Sequence, residues 1–322
     1  MSATGGLHVV ALGGGHGLAV TLKAVSAYAS RVTAVVSAAD DGGSSGRLRE
    51  WWDGPAPGDV RRCLLALAGE QADQQLWARL LDHRFSQGDL AGHSLGNLVL
   101  VALAEQLGDF GAATAELGRL LGVSARVLPA TGGRVELCAE VDGPDGPEQV
   151  NGQAAVAYSE APVRRVWLGP ACPEALPEAL EAVATADQVV LGPGSLYTSV
   201  IAVCSVPELR RALAARRGGR VYVCNLGYQV PETAGCDADS HLAALVAHGV
   251  VVDTVVCDPT SEVGALSPTG LGMSALSVPA PERRAAEAVL VNAPLSGPGG
   301  HAHDPSLLAP VLARLARTAP PS

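Results

Sequence analysis

The sequence predicts an α/β protein built on a mostly parallel sheet flanked by helices. The first apolar run, LHVVALGGG, ends in glycines, and a helical stretch and a second apolar run, RVTAVVSA, follow it. This strand–loop–helix–strand order begins a parallel sheet. Four later segments repeat the pattern of a short apolar strand ending in turn residues: ADQVVLGPGS, RVYVCNLG, VVDTVVCD and AAEAVLVNAP.

The regions between these strands indicate one domain over residues 1–318 with two additions. Apolar residues at helical spacing predict a helical insertion after the second strand, at about 59–125. A polar stretch rich in Gly and Pro predicts a small β excursion at about 126–160. A final helix is expected after Asp304, its N-cap, with Pro305 at its first position, and residues 319–322 are expected to be a disordered tail.

Composition narrows the class of function. The 322 residues are 48% hydrophobic but only 3% aromatic, so the core must consist mostly of Ala, Val and Leu. A net charge of -10 argues against binding to nucleic acid or to an anionic membrane surface. No apolar run approaches the about 20 residues that span a bilayer, and no signal peptide is recognisable, so we expect a cytoplasmic protein.

The seven cysteines are scattered and contain no CxxC pair. This spacing predicts reduced, buried thiols and disfavours a zinc or redox site.

The polar motifs follow the predicted strands, where ligands of open parallel sheets gather. The first is GGGHG, whose backbone N–H groups could approach an anion at a helix N-terminus. It is not a dinucleotide fingerprint, because the third glycine would fall on Leu18, and no Gly-Lys-Ser/Thr follows as in a Walker loop. The alternative is a plain strand-to-helix turn. The candidate phosphate-binding residues here are Gly13, Gly14, Gly15, His16 and Gly17.

The second motif, DDGGSSGRLR, combines acids, flexible backbone, hydroxyls and guanidinium groups. Asp40 and Asp41 could hold Mg²⁺, which prefers one or two carboxylates together with substrate phosphates. Arg47 could form forked bonds to phosphate oxygens. The alternative is a capped turn before a helix with a solvated basic face. The other candidate phosphate ligands in this motif are Gly42, Gly43, Ser44 and Ser45.

The remaining motifs are less specific. Asp59 is expected to be a helix N-cap. His93 and Asn97 are four residues apart, which would place them on one helical face, but no Ser-His-Asp triad can be assigned. His301 and His303 are interpreted as part of a surface loop rather than a metal site. Further strand-end candidates, which turn chemistry could also explain, are Gly192, Ser195, Asn225 and Thr233.

Taken in order, LGGGHGL, AADDGGSSGRLR, PGDVRRCLLAL, HRFSQGDLAGHSLGNL, GPGSLYTSV, NLGYQVPET and HDPSLLAPVL resemble the CofD-like YvcK proteins, the bacterial gluconeogenesis factors. The resemblance covers nearly the whole chain. It implies a Rossmann-like fold and a cytoplasmic protein that binds UDP-glucose or UDP-N-acetylglucosamine. It also implies a role in cell-wall synthesis, cell shape and growth on gluconeogenic carbon sources, without an established reaction, and it leaves open a homo-oligomer and regulatory protein partners.

The alternative is an enzyme similar to the related 2-phospho-L-lactate transferase, which uses Mg²⁺ to transfer a phospholactyl-type group to a deazaflavin alcohol. Its loop after the second strand resembles NTGDD without the SSGRLR continuation, so the sequence favours the YvcK side. Two positions depart from the usual family pattern, His16 in place of Thr and Arg62 in place of Asn.

We therefore expect Gly13 to Gly17 and Gly42 to Ser45 to hold a diphosphate. Asp40 and Asp41 would bind a cation or sugar hydroxyls, with Mg²⁺ as the one possible cofactor. Removing the charge-assisted contact of Arg47 is expected to cost about 1.5–3 kcal/mol of binding free energy. Four residues are expected at the base or sugar end of the ligand: His93, Asn97, Ser195 and Asn225.

Overall fold

The computed structural model describes residues 6–170, 172–265 and 288–318. Its centre is a parallel sheet of seven strands, in the spatial order β10-β9-β8-β7-β1-β2-β3. The predicted α/β class with a parallel sheet flanked by helices is confirmed. The strands are β1 (His8–Gly13), β2 (Arg31–Val36), β3 (Arg126–Pro129), β7 (Gln188–Leu191), β8 (Arg220–Val223), β9 (Thr254–Cys257) and β10 (Val289–Asn292).

The central strands are buried on both faces, which explains why their sequences are continuous apolar runs. In β1, Val9 and Ala11 join the hydrophobic cluster on one face, and Val10 and Leu12 join the cluster on the other. This alternation is the period of two expected of a strand. Val, Leu and Ala dominate both clusters, as the low aromatic content predicts.

Thirteen helices are assigned in the described ranges, and they pack mainly on the two faces of this sheet. They are α1 (Gly15–Ser26), α2 (Gly43–Leu48), α3 (Pro57–Ala66), α4 (Ala72–Asp82), α5 (Leu95–Leu107), α6 (Phe110–Leu120), α7 (Gln153–Ala157), α8 (Pro177–Thr185), α9 (Ala202–Cys204), α10 (Pro207–Ala215), α11 (Ala238–Ala247), α12 (Glu262–Ala265) and α13 (Pro305–Thr318). A π-helical segment, Leu196–Ile201, precedes α9. Helices α3 to α6 occupy the region, about 59–125, in which a helical insertion is predicted after the second strand, and the short α2 precedes it. No helix in the described part of the chain is both long and apolar enough to cross a membrane.

The small β excursion differs from its predicted bounds of 126–160. Residues 126–129 form β3, whose Val127 pairs with Ala34 of β2 in the main sheet, because this short apolar run is buried against its neighbour. A separate antiparallel sheet of three strands follows, in the order β5-β4-β6. Its strands are β4 (Glu136–Gly143), β5 (Gly146–Asn151) and β6 (Val163–Gly169).

Two predictions concern residues at the end of the chain. Helix α13 begins at Pro305, and the Asp304 carboxylate accepts a hydrogen bond from the Ser306 N–H at 2.8 Å, the capping role that the sequence predicts. The predicted disordered tail, 319–322, and most of the stretch SALSVPAPERRAAEAV lie outside the described residues.

The strand order creates a crevice at β1. The chain passes from β1 to β2 on one side, whereas β7 pairs with the other side of β1. The loops that leave the carboxyl ends of β1 and β7 therefore diverge to opposite sides of the sheet. Such a reversal of strand order is where open α/β sheets place their ligand sites.

Candidate functional site

A cleft of about 370 Å³ lies at this crevice and draws its walls from several distant loops. The Gly-rich loop after β1, the loop after β2, the start of α3, helix α7 and the GPGS loop after β7 all contribute. Among the predicted ligand residues, the structure brings six to this cleft, together with Asp40: Gly14, Gly15, His16, Gly17, Gly42 and Ser195.

The Gly-rich loop is shaped by close approach of backbone to its neighbours. Gly15 adopts a φ of +63°, in the left-handed region that favours glycine. A Cβ on Gly17 would overlap the Pro193 carbonyl oxygen, so helix α1 can begin only if this position has no side chain. The first three residues of the twelve-residue α1, Gly15 to Gly17, line the cleft, where the helix dipole favours an anion.

Asp59 is a buried carboxylate in the cleft wall, and its predicted role as an N-cap is wrong. Helix α3 starts at Pro57 with Ala56 as its N-cap, so Asp59 lies inside the first turn. Burial, reinforced by the negative charge of Asp40, raises the pKa of Asp59 to about 6. Arg62 forms an ion pair with it and acts in the opposite direction.

The two acids of DDGGSSGR face different neighbours. Asp40 lines the cleft and accepts hydrogen bonds from the Ser45 hydroxyl at 2.7 Å and from the Gly42 N–H at 3.1 Å. Asp41 instead accepts the Ala154 N–H at 2.8 Å, at the start of α7. The structure therefore pairs Asp40 with Asp59, rather than with Asp41, at the cleft.

A cation would fit this pair of acids. Asp40 and the buried Asp59, whose pKa is raised, would be neutralised by a hard cation with oxygen ligands. Within residues 6–170, 172–265 and 288–318, however, no three His, Cys, Asp or Glu side chains converge, so a cation here would depend on ligand oxygens and water.

The serines of the second motif are turned into the protein. Ser44 and Ser45 are both buried and are absent from the cleft wall. The Ser44 hydroxyl accepts the Ser94 N–H at 3.1 Å, and the Ser45 hydroxyl accepts the Asn97 side-chain N–H at 3.4 Å. These bonds join α2 to the start of α5, so the two serines support the loop after β2 from behind.

His93 and Asn97 do not line the cleft either. Asn97 is 2% exposed and accepts the Arg61 Nε–H at 3.0 Å, which assigns it a structural role. His93 lies 3.4 Å from the Ser44 hydroxyl, on the outer side of α2. Arg47 and Gly43 are likewise on this outer side and are exposed. The structure therefore does not bring His93 and Asn97 into the wall of the cleft, where they were expected at the base or sugar end.

The loops after β7 and β8 hold each other through side-chain amides. Asn225 Oδ1 accepts the Gly194 N–H at 3.0 Å, and its Nδ2 donates to Gln229 Oε1 at 3.2 Å. Gln229 Nε2 in turn donates to the Ser195 hydroxyl at 2.9 Å. Thr233 is fully buried and accepts the Gln229 N–H, so it is structural, and Gly192 accepts the Thr21 hydroxyl at 2.6 Å.

A second cavity of about 610 Å³ adjoins the cleft on the other side of the Gly-rich loop. His16, Gly17, Gly194 and Gln229 line both spaces. Asn225 is in its wall, together with the loop that carries His301 and His303. Burial lowers the pKa of His303 to about 4, and its Nε2 lies 3.0 Å from the Cys224 carbonyl oxygen, so this histidine is more buried than the predicted surface loop implies.

Sequence reasoning missed several residues of the cleft. Pro57 at the first helical position was a signal that Asp59 could not be the N-cap, because proline favours that first position. Glu232 is 8% exposed, and its carboxylate accepts the N–H groups of Tyr197 and Thr198 at 2.8 and 3.1 Å. No local sequence pattern predicts a contact between residues that are 35 positions apart. Glu232 lies behind the wall of the cleft rather than in it. The missed residues of the wall itself are Arg62, Gln153, Ala154, Ala157, Tyr158, Gly194, Thr198, Ser199 and Gln229.

The cysteines mostly follow the sequence-based expectation. Of the seven free cysteines, five are buried as predicted, whereas Cys172 is exposed and Cys236 is half-buried.

Residues 9–267 of the chain match the family model described as "2-phospho-L-lactate transferase CofD". The chain belongs to the CofD family. Within that family its relatives include proteins named gluconeogenesis factor, which the sequence motifs predict.

Three comparisons define that relationship. The protein named "Gluconeogenesis factor" from Halalkalibacterium halodurans is 42% identical over 253 residues, 77% of each chain. Its namesake from Bacillus subtilis is 40% identical over 241 residues, 74% of each chain. The crystal structure of a UPF0052 family member from Bacillus halodurans matches with a TM-score of 0.81 and 33% identity, and covers 95% of this chain and 98% of that chain.

Proposed function

We propose that this chain is a cytoplasmic protein that binds a nucleotide diphosphate sugar, with UDP-glucose and UDP-N-acetylglucosamine as its ligands. The observation that carries the proposal is the convergence of the α1 N-terminus, Arg62 and the GPGS loop on one cleft. Backbone N–H groups and a guanidinium are the donors that a diphosphate requires.

The shape of the surrounding space supports a ligand with two arms. The cleft and the second cavity meet along His16, Gly17, Gly194 and Gln229. A diphosphate at the Gly-rich loop would extend into both spaces, with the nucleoside in the larger cavity and the sugar in the cleft. Asn225, which accepts the Gly194 N–H, would hold the loop after β7 in position at the larger cavity. Tyr228, in the wall of that cavity, would contact the base.

Asp40 and Asp59 would hold Mg²⁺ together with the diphosphate oxygens. The bound ion would supply charge neutralisation, and this arrangement corrects the expected pair Asp40 and Asp41. It also explains why two buried carboxylates are tolerated side by side at the cleft.

The biological role we propose is the regulation of cell-wall synthesis and cell shape during growth on gluconeogenic carbon sources. It is supported by the relatives named gluconeogenesis factor and by the motifs shared with the YvcK proteins. A regulator of this kind would act through a protein partner that distinguishes the ligand-bound form from the free form.

Calorimetry with UDP-N-acetylglucosamine and with GDP, each in the presence and absence of Mg²⁺, tests the ligand assignment. The proposal predicts saturable binding of the UDP-sugar, strengthened by Mg²⁺, and weaker binding of GDP. A preference for GDP would contradict it.

A second candidate is a phosphoryl-group transferase of the 2-phospho-L-lactate transferase type, favoured by Asp59. A carboxylate with a pKa near 6 is suited to accept the proton of an attacking hydroxyl at neutral pH. In that reaction the acceptor oxygen bonds to the phosphorus of the phospholactyl-type group in the guanylylated donor. The phosphoanhydride bond between this phosphorus and GMP breaks, and GMP leaves. Incubation with the deazaflavin alcohol, the guanylylated donor and Mg²⁺ tests this function, and absence of GMP release would remove it.

A further inference from the structure

A cationic cluster lies outside the cleft, on the outer side of α2, and consists of Arg47, Arg84 and His93. Arg84 Nη1 donates to the Gly92 carbonyl oxygen at 2.6 Å. The Arg47 guanidinium occupies the space that a Cβ would take at Gly92. Both guanidinium groups therefore approach the residue that precedes His93.

The charges of this cluster are not offset within the described part of the chain. Neither Arg47 nor Arg84 forms an ion pair with a carboxylate there, whereas six other arginines do. Burial, followed by the positive charges of Arg47 and then Arg84, lowers the pKa of His93, so the charge of the cluster is that of its two guanidinium groups. Like charges held together in this way cost free energy that a bound anion would recover.

The cluster begins next to the rim of the cleft. Gly42 lines the cleft, and the following residue, Gly43, lies beside the cluster, because a Cβ built on it would be 3.6 Å from Arg84 Nη1. The buried Ser44 hydroxyl lies 3.4 Å from His93 Nδ1 and supports the imidazole from the protein side. Two guanidinium groups and an imidazole are a donor set for carboxylate or phosphate oxygens.

We propose that the cationic cluster is an oxyanion subsite that adjoins the cleft and binds a carboxylate or phosphate beyond the ligand's diphosphate. The oxyanion can be carried by the sugar of the same nucleotide, as in a UDP-uronic acid, or by a separate small molecule. In the first form the proposal rests on the nucleotide-sugar function and specifies acidic sugars as its preferred class. In the second form it stands independently of the nucleotide.

The two sources are separated by calorimetry with three probes: UDP-glucose, UDP-glucuronate and inorganic phosphate. If the sugar carries the oxyanion, the wild-type protein binds UDP-glucuronate about tenfold more tightly than UDP-glucose, and Arg84→Gln removes that preference. If a separate molecule carries it, the two UDP-sugars bind alike, but phosphate binds with or without UDP-glucose and Arg84→Gln weakens its binding about tenfold.

The matched control is Arg119→Gln, which removes the same charge from an exposed arginine that bonds only to Glu116. This control is expected to retain both the preference for UDP-glucuronate over UDP-glucose and the binding of phosphate. Arg84 is exposed, so its replacement leaves the fold intact, which circular dichroism would verify. Equal affinity for the two UDP-sugars together with no phosphate binding that depends on Arg84 would overturn the proposal. Failure of UDP-glucose to bind at all would instead count against the nucleotide-sugar function, since the phosphate titration does not require it.

Discussion

The Asp59 carboxylate lies directly against Gly14, so closely that a Cβ on Gly14 would overlap Asp59 Oδ2. The contact joins the Gly-rich loop after β1 to the first turn of α3. It therefore holds together two of the walls of the cleft, and it can exist only while position 14 has no side chain.

Gly14→Ala is expected to lower the free energy of unfolding by about 1–3 kcal/mol, because the new methyl group must displace a buried carboxylate. Chemical denaturation at pH 7.5 measures the change. Gly133→Ala is the matched control, since a Cβ there meets nothing within 4 Å, and it should leave the free energy of unfolding nearly unchanged. Equal effects of the two substitutions would show that Asp59 and Gly14 are not in contact.

Asp59→Asn is expected to stabilise the protein more at pH 7.5 than at pH 4.5. Because the folded-state pKa of about 6 is above the ordinary 3.8, folding favours protonated Asp59. The folded protein thus binds more protons than the unfolded chain between these values, and stability falls as pH rises through that window. The loss of folding free energy caused by ionised Asp59 is complete above pH 6, and it amounts to about 3 kcal/mol for a pKa raised by about two units.

Denaturation of wild type and Asp59→Asn at pH 4.5 and 7.5 measures this difference. The account predicts a gain of stability for the variant at pH 7.5 that is about 2 kcal/mol smaller at pH 4.5, where Asp59 of the folded wild-type protein is largely neutral. A gain of the same size at both pH values would mean that ionisation of Asp59 is not its cause.

Glu232→Gln is expected to loosen the segment that carries Ser195. The Glu232 carboxylate accepts three hydrogen bonds, from the Tyr197 N–H, the Thr198 N–H and the Thr198 hydroxyl. Both N–H groups donate to Oε1 and the hydroxyl donates to Oε2, so an amide can keep the N–H bonds. It weakens them by about 1–2 kcal/mol, because a neutral oxygen is a poorer acceptor than a carboxylate.

Hydrogen exchange reports on this segment directly. In Glu232→Gln the amides of Tyr197 and Thr198 should exchange at least tenfold faster, and the affinity for UDP-N-acetylglucosamine should fall. Glu116→Gln, at an exposed carboxylate paired only with Arg119, is the control and should change neither. Unchanged exchange at Tyr197 in Glu232→Gln would contradict the role given to this carboxylate.

Arg62→Gln is expected to weaken UDP-sugar binding about tenfold or more, because Arg62 is the guanidinium in the cleft wall. Arg79→Gln, on α4, removes the same charge without touching the cleft and is expected to bind as wild type does. Calorimetry with UDP-N-acetylglucosamine distinguishes them. If the two variants bind alike, the diphosphate does not contact Arg62.

The sequence predicted the loops of the cleft well, because an apolar strand that ends in Gly is a local signal. Gly15 and Gly42 were placed at a common edge of the sheet, and the structure brings them together. The direction of side chains within those loops was less predictable. Asp41, whose carboxylate turns to the start of α7, has the same local sequence environment as Asp40, which turns to the cleft.

The predictions that failed for residues bonded to distant parts of the chain have the same origin. Thr233 and Asn97 are polar residues that the sequence offers as ligands, yet their partners are Gln229 and Arg61 inside the protein. Buried hydrogen bonds of this kind depend on which elements pack together, and a local sequence motif does not indicate that packing. The bounds of the β excursion failed similarly, since β3 is defined by its pairing with β2.

The central claim is that loops from separate parts of the chain meet at one cleft to bind a diphosphate. A crystal structure with UDP-N-acetylglucosamine and Mg²⁺ tests it most directly. The account predicts the diphosphate at the backbone N–H groups of Gly15 to Gly17, beside Arg62 and Ser195, with the uridine in the cavity lined by Asn225. A nucleotide bound away from the Gly-rich loop, or a cleft left empty at saturating ligand, would contradict it.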